Sequence, residues 1–206
     1  MAEKLKVYHF PIVHTNYEAR IDGVLKQFWN QQGVGLDTRP YWQQIKDYLE
    51  TQGINYRQTK LYQDSHPVEA EEIYGDGVDA LNIMNTGPNQ ELLAELIRRG
   101  ARLKGTESNE LLAETYRHRE AMLKPVDRDD LIGEFVRVKK HSDAMIALTP
   151  LRDRAIAKRI RQTLGPSETG ILFLGRAHNI RPYAKGINFI TPPHIIALAR
   201  DIDSRR

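Results

Sequence analysis

The chain contains no cysteine among its 206 residues. Disulfides, thiolate zinc sites and cysteine nucleophiles are therefore excluded, and any bound metal must be held by nitrogen and oxygen ligands. No stretch approaches the roughly 20 apolar residues that a membrane-spanning helix needs. The first residues also lack the apolar core of a secretory leader. These absences predict a cytoplasmic protein with no membrane segment.

Neither sign of charge dominates, because 30 Lys and Arg stand against 27 Asp and Glu, for a net charge of +3. Basic residues are densest between Arg152 and Arg161, at a spacing typical of a solvated helix face. Aromatic residues are not interleaved with them, so nucleic acid is not an expected partner. The expected partner is a small anionic molecule or a peptide, and the oligomeric state is not determined.

Apolar runs that alternate with helical patterns predict an α/β fold: a mainly parallel sheet with helices on both faces, in a single domain over residues 1–206. The run 170–175 is almost wholly apolar and predicts a central strand. The short run 187–190 predicts an edge strand. Further strands are predicted over 4–13, 54–62 and 101–104.

Prolines mark the ends of several predicted segments. The pair Thr149-Pro150 predicts a break between two helices, one over 129–148 and one over 151–164. Residues 68–87 contain acids, glycines and few periodic apolar positions, so they predict a long irregular insertion.

Four polar residues stand where predicted strands end: His14, Asp64, Glu107 and His178. Parallel sheets bind ligands beyond the carboxyl ends of their strands. Two imidazoles with one or two carboxylates can hold a divalent metal such as Mn, Co or Zn. We therefore expect His14 and His178 as metal ligands, with Glu107 or Asp64 as ligand or catalytic base. In a metal-free alternative, one histidine is a general base oriented by one of the acids.

Basic and amide side chains surround the second of these histidines. Arg176 and Arg181 flank His178, and together with the Asn179 amide they can recognise a carboxylate or phosphate. Arg152, on the preceding predicted helix, is expected to help orient the same anionic substrate. Surface ion pairs are the alternative role for these arginines. For Glu107, the alternative is a position beside the cap of the helix that follows it.

A G-x-x-H motif, Gly175-Arg-Ala-His178, follows a helix that carries Arg152-Asp153, and Leu103-Lys-Gly105-Thr-Glu107 lies in the middle of the chain. In these features the chain resembles the TraB/GumN group and the related TIKI-type metalloproteases. The resemblance implies an α/β fold with two G-x-x-H motifs and an acid between them. It also implies divalent-metal-dependent hydrolysis.

The front of the chain departs from this pattern, because Pro11-Ile-Val-His14 keeps the histidine of the first motif and lacks its glycine. There is no G-x-S-x-G, phosphate loop or G-x-G-x-x-G, which argues against the common serine hydrolase, P-loop and dinucleotide-binding classes.

The sequence predicts a metal-dependent hydrolase acting on a peptide, ester or other small anionic substrate. The alternative is a non-catalytic protein that binds a small anion, a nucleotide or a partner at the same strand ends.

Overall fold

A computed structural model describes residues 4–13, 37–83, 87–125, 127 and 129–204. The strands in these ranges are β1 (Leu5–Ile12), β2 (Thr59–Gln63), β3 (Arg102–Lys104), β4 (Thr169–Gly175) and β5 (Ile187–Ile190). The α-helices are α1 (Arg39–Thr51), α2 (Ala70–Tyr74), α3 (Pro88–Arg98), α4 (Asn109–Met122), α5 (Leu131–Thr163) and α6 (Pro193–Ser204). Short 3-10 helices cover Tyr56–Gln58, Val78–Ile83 and Arg181–Tyr183.

The strands form one five-stranded sheet in the order β3-β2-β4-β1-β5, and every pairing is parallel. Ile12 at the end of β1 lies opposite Gly175 at the end of β4. Gln63 at the end of β2 lies opposite Phe173. The predicted parallel sheet is confirmed, with β4 at its centre and β5 at an edge. The carboxyl ends of β1, β2 and β4 therefore lie side by side.

Helices cover both faces of the sheet, as predicted. Ile171 and Phe173 of β4 belong to a core that includes residues of α1, α3 and α6. Leu172 and Leu174 alternate with them and belong to the opposite core, which includes residues of α5. Because both faces are buried, the strand needs apolar residues at consecutive positions, and this explains its uniform composition.

The helix α5 runs through Pro150, so the predicted break at Thr149-Pro150 is wrong. Proline removes one helical hydrogen bond at a cost of about 3 kcal/mol. Packing of α4 along α5 supports the helix, and the Thr149 hydroxyl donates to the Met145 carbonyl at 3.0 Å. Although α5 has 33 residues, neither it nor another helix in the described ranges is apolar over a long enough stretch to cross a membrane.

The insertion predicted to be irregular is partly helical. It contains α2 and the 3-10 helix Val78–Ile83. Ala70, Ala80 and Leu81 within it are buried, and the last two join the core on the α1 side of the sheet. The apolar periodicity of a sequence does not reveal short helices of this kind, because they contain too few turns to repeat an apolar position.

Candidate functional site

Asp64, Glu107 and His178 follow β2, β3 and β4, and the parallel sheet brings these three chain segments to one edge. The backbone N–H of Asp64 donates to the Phe173 carbonyl at 2.9 Å, which continues the pairing of β2 with β4. A parallel bridge between Pro67 and Glu107 continues the pairing of β2 with β3. His14 lies outside the described residues, so its approach to His178 stays a prediction.

Arg152 of α5 joins the two acids. Its guanidinium donates to both carboxylate oxygens of Glu107, to Asp64 Oδ1 at 2.7 Å and to the Ser65 hydroxyl at 3.3 Å. Glu107 also accepts the Ser65 backbone N–H at 3.1 Å. Burial by itself lowers the pKa of Arg152, but the hydrogen bond to Glu107 and the two negative charges raise it above its ordinary value. Arg152, expected to orient substrate, thus has its guanidinium engaged by two acids.

A second acid–base pair fixes the histidine of the G-x-x-H motif. His178 Nδ1 lies 2.6 Å from Asp153 Oδ1, and the other oxygen of Asp153 accepts the Asn179 backbone N–H at 2.9 Å. The side chains of His178 and Asp153 are each only 4% exposed. Because a carboxylate accepts, Nδ1 donates, and Nε2 of a neutral ring presents its lone pair. Nε2 lies 3.5 Å from Asp64 Oδ2.

Asp153 was not among the predicted site residues, although the sequence placed it beside Arg152 in the helix that carries the resemblance. Consecutive residues on a helix point in directions about 100° apart. The two side chains therefore reach two different strand ends, Arg152 toward Asp64 and Asp153 toward His178. Asn179 contributes its backbone N–H to this arrangement, whereas the sequence predicted a role for its side-chain amide.

The glycine of the G-x-x-H motif is required by close packing. A Cβ on Gly175 would lie 2.6 Å from Asp64 Oδ2 and 3.6 Å from His178 Cδ2. The Gly175 backbone N–H donates to the same Asp64 oxygen at 3.0 Å. The absent side chain therefore leaves room for the carboxylate to lie between the end of β4 and the imidazole.

A cavity of about 370 Å³ opens beside this cluster. Its polar wall contains Asp64, Arg152 and His178, together with the exposed Arg176. The cavity is also lined by residues of α4 and α5, namely Leu112, Thr115, Tyr116, Arg119 and Met145. Glu107 does not line the cavity, because its side chain is fully buried behind Arg152. Arg119 is a cation that sequence reasoning missed, since nothing in the pattern of α4 distinguishes it from a surface arginine.

The predicted substrate-binding residues divide between two cavities. Arg152 and Arg176 line the cavity described above. Arg181 instead lines a second cavity, of about 250 Å³, whose wall also contains Arg176 and His178. The turn 175–178 therefore separates two neighbouring spaces, with His178 facing both.

At this edge of the sheet, two atoms of the described residues could act as ligands of one metal ion: His178 Nε2 and Asp64 Oδ2, which lie 3.5 Å apart. No group of three or more histidine, aspartate or glutamate side chains suited to a metal ion occurs among the described residues. Catalytic zinc sites take three ligands from the protein. The described residues therefore offer two of the three ligands that such a site would need.

No family model matches the chain, and no curated protein or solved structure matches it. The resemblance of its motifs to the TraB/GumN group stays a prediction.

Proposed function

We propose that the protein is a divalent-metal-dependent hydrolase that acts on a small anionic substrate, such as a peptide or an ester, in the cavity beside His178. The 3.5 Å separation of His178 Nε2 and Asp64 Oδ2 carries the proposal. Two ligands at about 2.0 to 2.1 Å from one ion in tetrahedral geometry lie about 3.3 Å apart. A small shift of either side chain would therefore let both atoms bind one ion.

Hydrogen bonds to the other side-chain atoms of His178 and Asp64 orient the two donor atoms. Asp153 accepts from His178 Nδ1, which is the arrangement that commonly orients a histidine ligand and makes it more basic. Arg152 and Ser65 donate to the far oxygen of Asp64. A site whose ligands are already oriented loses less entropy when it binds an ion.

The charge of the cluster also favours a cation. Three carboxylates, those of Asp64, Glu107 and Asp153, face one guanidinium and one imidazole, and all of these side chains are at most 12% exposed. With a neutral imidazole the cluster carries excess negative charge away from water, which is costly unless a cation offsets it. A divalent ion between His178 and Asp64 would supply that charge.

The roles of the metal ion and of the residues around it in the proposed hydrolysis follow from their positions. A bound divalent ion would polarise the substrate carbonyl and activate water for attack. Mn, Co and Zn all accept such nitrogen and oxygen ligands, and His14 is the candidate third ligand, on sequence grounds alone. Arg119 and Arg176 line the same cavity and would attract an anionic substrate. A cytoplasmic location is part of the same proposal.

The test is metal binding by calorimetry on chelator-treated protein, with Mn, Co and Zn titrated separately. We expect one ion per chain in the wild type and loss of binding in His178→Ala and Asp64→Asn. Asp153→Asn should weaken binding about 10- to 100-fold, because it removes the group that orients the ligand. Hydrolysis of a panel of peptides and esters should follow metal loading.

His194→Ala is the matched control, because this exposed histidine of α6 lies in neither cavity. It should bind metal as the wild type does. Failure of all three metals to bind the wild type would overturn the proposal, as would undiminished hydrolysis in the presence of a strong chelator. Circular dichroism of each variant separates loss of the site from loss of the fold.

A second candidate function is non-catalytic binding of a small anion. The observation that favours it is the Arg152 guanidinium 2.7 Å from Asp64, which already offsets much of the charge that would hold a metal. In that case anionic metabolites should raise the melting temperature of metal-free protein, and Arg176→Ala should abolish the effect. Stoichiometric metal binding with hydrolysis would decide against this candidate.

A further inference from the structure

The second cavity lies on the side of His178 that faces β5 and α6. Among the described residues, its lining includes three arginines, Arg176, Arg181 and Arg200, and no aspartate or glutamate. Arg181 and Arg200 form no ion pair with the described residues. A concave surface lined by one sign of charge focuses the field inside it and attracts ions of the other sign.

Neutral hydrogen-bonding groups accompany these cations. His9 of β1 is half-buried in the wall of the cavity, with its Nδ1 3.4 Å from the Thr191 hydroxyl and its ring edge-on to Phe189. Burial, and secondarily the charge of Arg181, lower the pKa of His9 to about 4. The imidazole is therefore neutral at pH 7 and carries one N–H. When that proton is on Nδ1 and is donated to Thr191, the Thr191 hydroxyl is able to donate its own proton to an anion.

We propose that this second cavity binds an oxyanion, a carboxylate or a phosphate, through Arg181 and Arg200, with Thr191 as an additional donor. Guanidinium groups bind such oxygens through paired, charge-assisted hydrogen bonds. An oxyanion here would also offset the positive charges of Arg181 and Arg200. Arg200 and Thr191 gain this role from the tertiary structure alone, since they are far from the G-x-x-H motif in the sequence.

The second cavity adjoins the cavity in which hydrolysis is proposed to take place. Both cavities share Gly175, Arg176 and His178 in their walls. A substrate with its acidic group between Arg181 and Arg200 would extend across His178 toward Asp64. This part of the inference rests on the proposed hydrolase function, and it names the substrate class as molecules with a carboxylate or phosphate beyond the bond that is cleaved. Binding of the anion itself requires no metal.

The test is titration of chelator-treated protein with inorganic phosphate and, separately, with acetate, followed by NMR. Saturable binding of either anion would support the proposal and would identify the group preferred. Arg181→Gln with Arg200→Gln should weaken that binding at least about tenfold, since two charge-assisted contacts are lost. A bound anion should also raise the pKa of His9, which the ring proton shifts report and which diffuse surface association would not change.

Arg98→Gln is the matched control, because this exposed arginine ends α3 and lines neither cavity. The proposal is overturned if neither anion saturates the protein at millimolar concentration, or if the double variant binds as the wild type does. Equal weakening by Arg98→Gln would indicate general charge attraction and would also overturn it. Asp64→Asn separates the two proposals, because it should abolish metal binding and leave phosphate or acetate binding intact.

Discussion

Replacement of Arg152 by methionine tests the cluster that joins the strand ends. The substitution keeps much of the side-chain length and removes the donors to Glu107, Asp64 and Ser65. Glu107 has a fully buried side chain, and among the described residues it would retain only the Ser65 N–H and the Thr106 hydroxyl as partners. Removing one partner of a buried ion pair costs about 3 to 5 kcal/mol. A domain is stable by roughly 5 to 15 kcal/mol in total, so the loss should be large.

The assay is urea unfolding of the wild type, Arg152→Met, Glu107→Leu and the double variant. The double variant leaves no unpaired charge at position 107, so it should be at least about 2 kcal/mol more stable than Arg152→Met. Arg152→Lys keeps the charge without the planar fork and should lie between Arg152→Met and the wild type. If Arg152→Met loses less than about 1 kcal/mol, or if the two single effects simply add, the ion pair is not what stabilises this edge of the sheet.

Three further predictions concern single residues. Gly175→Ala should displace the Asp64 carboxylate and weaken metal binding at least about tenfold in calorimetry. Its circular dichroism spectrum should be unchanged, and a metal affinity equal to that of the wild type would contradict the packing argument. Gly105→Ala places a Cβ 2.5 Å from the Pro67 carbonyl oxygen and should cost about 1 to 3 kcal/mol in urea unfolding. His9 has a folded pKa of about 4, below its unfolded value of 6.5, so the unfolded chain takes up the proton first as the pH falls. The stabilisation that comes from burying the neutral imidazole is complete above pH 6.5 and is lost as the pH falls toward 4. When the pH is lowered from 8 to 5, the free energy of unfolding of His9→Gln should therefore fall by about 2 kcal/mol less than that of the wild type, as urea unfolding at the two pH values will show.

Local sequence patterns predicted most of the sheet. The apolar run of β4 predicted a central strand and that of β5 an edge strand, because a strand buried on two faces needs consecutive apolar residues. The pattern failed at Pro150, where the packing of α4 against α5 outweighs one missing hydrogen bond. It also failed at α2, which is too short for its periodicity to be read.

The candidate site was predicted in part. Asp64, Glu107 and His178 were recognised because each follows a strand, and parallel strands end at one edge. Asp153 and Arg119 were missed. Each lies on a helix among other charged residues, and only the packing of that helix shows that it faces the site.

The sequence by itself determined the strands β1, β3, β4 and β5, the glycine and histidine of the G-x-x-H motif, and the exclusion of cysteine chemistry, because these depend on residue type and local spacing. It wrongly extended the strand β2 back over residues 54–58, which include a 3-10 helix. Only the tertiary structure decided that Arg152 pairs with Glu107 and Asp64, that Asp153 holds His178, and that a second cavity lined by arginines lies on the other side of that histidine. These contacts join residues 25 to 88 positions apart. They are set by the strand order β3-β2-β4-β1-β5 and by the way α5 crosses the sheet, and neither is encoded in any short stretch of the chain.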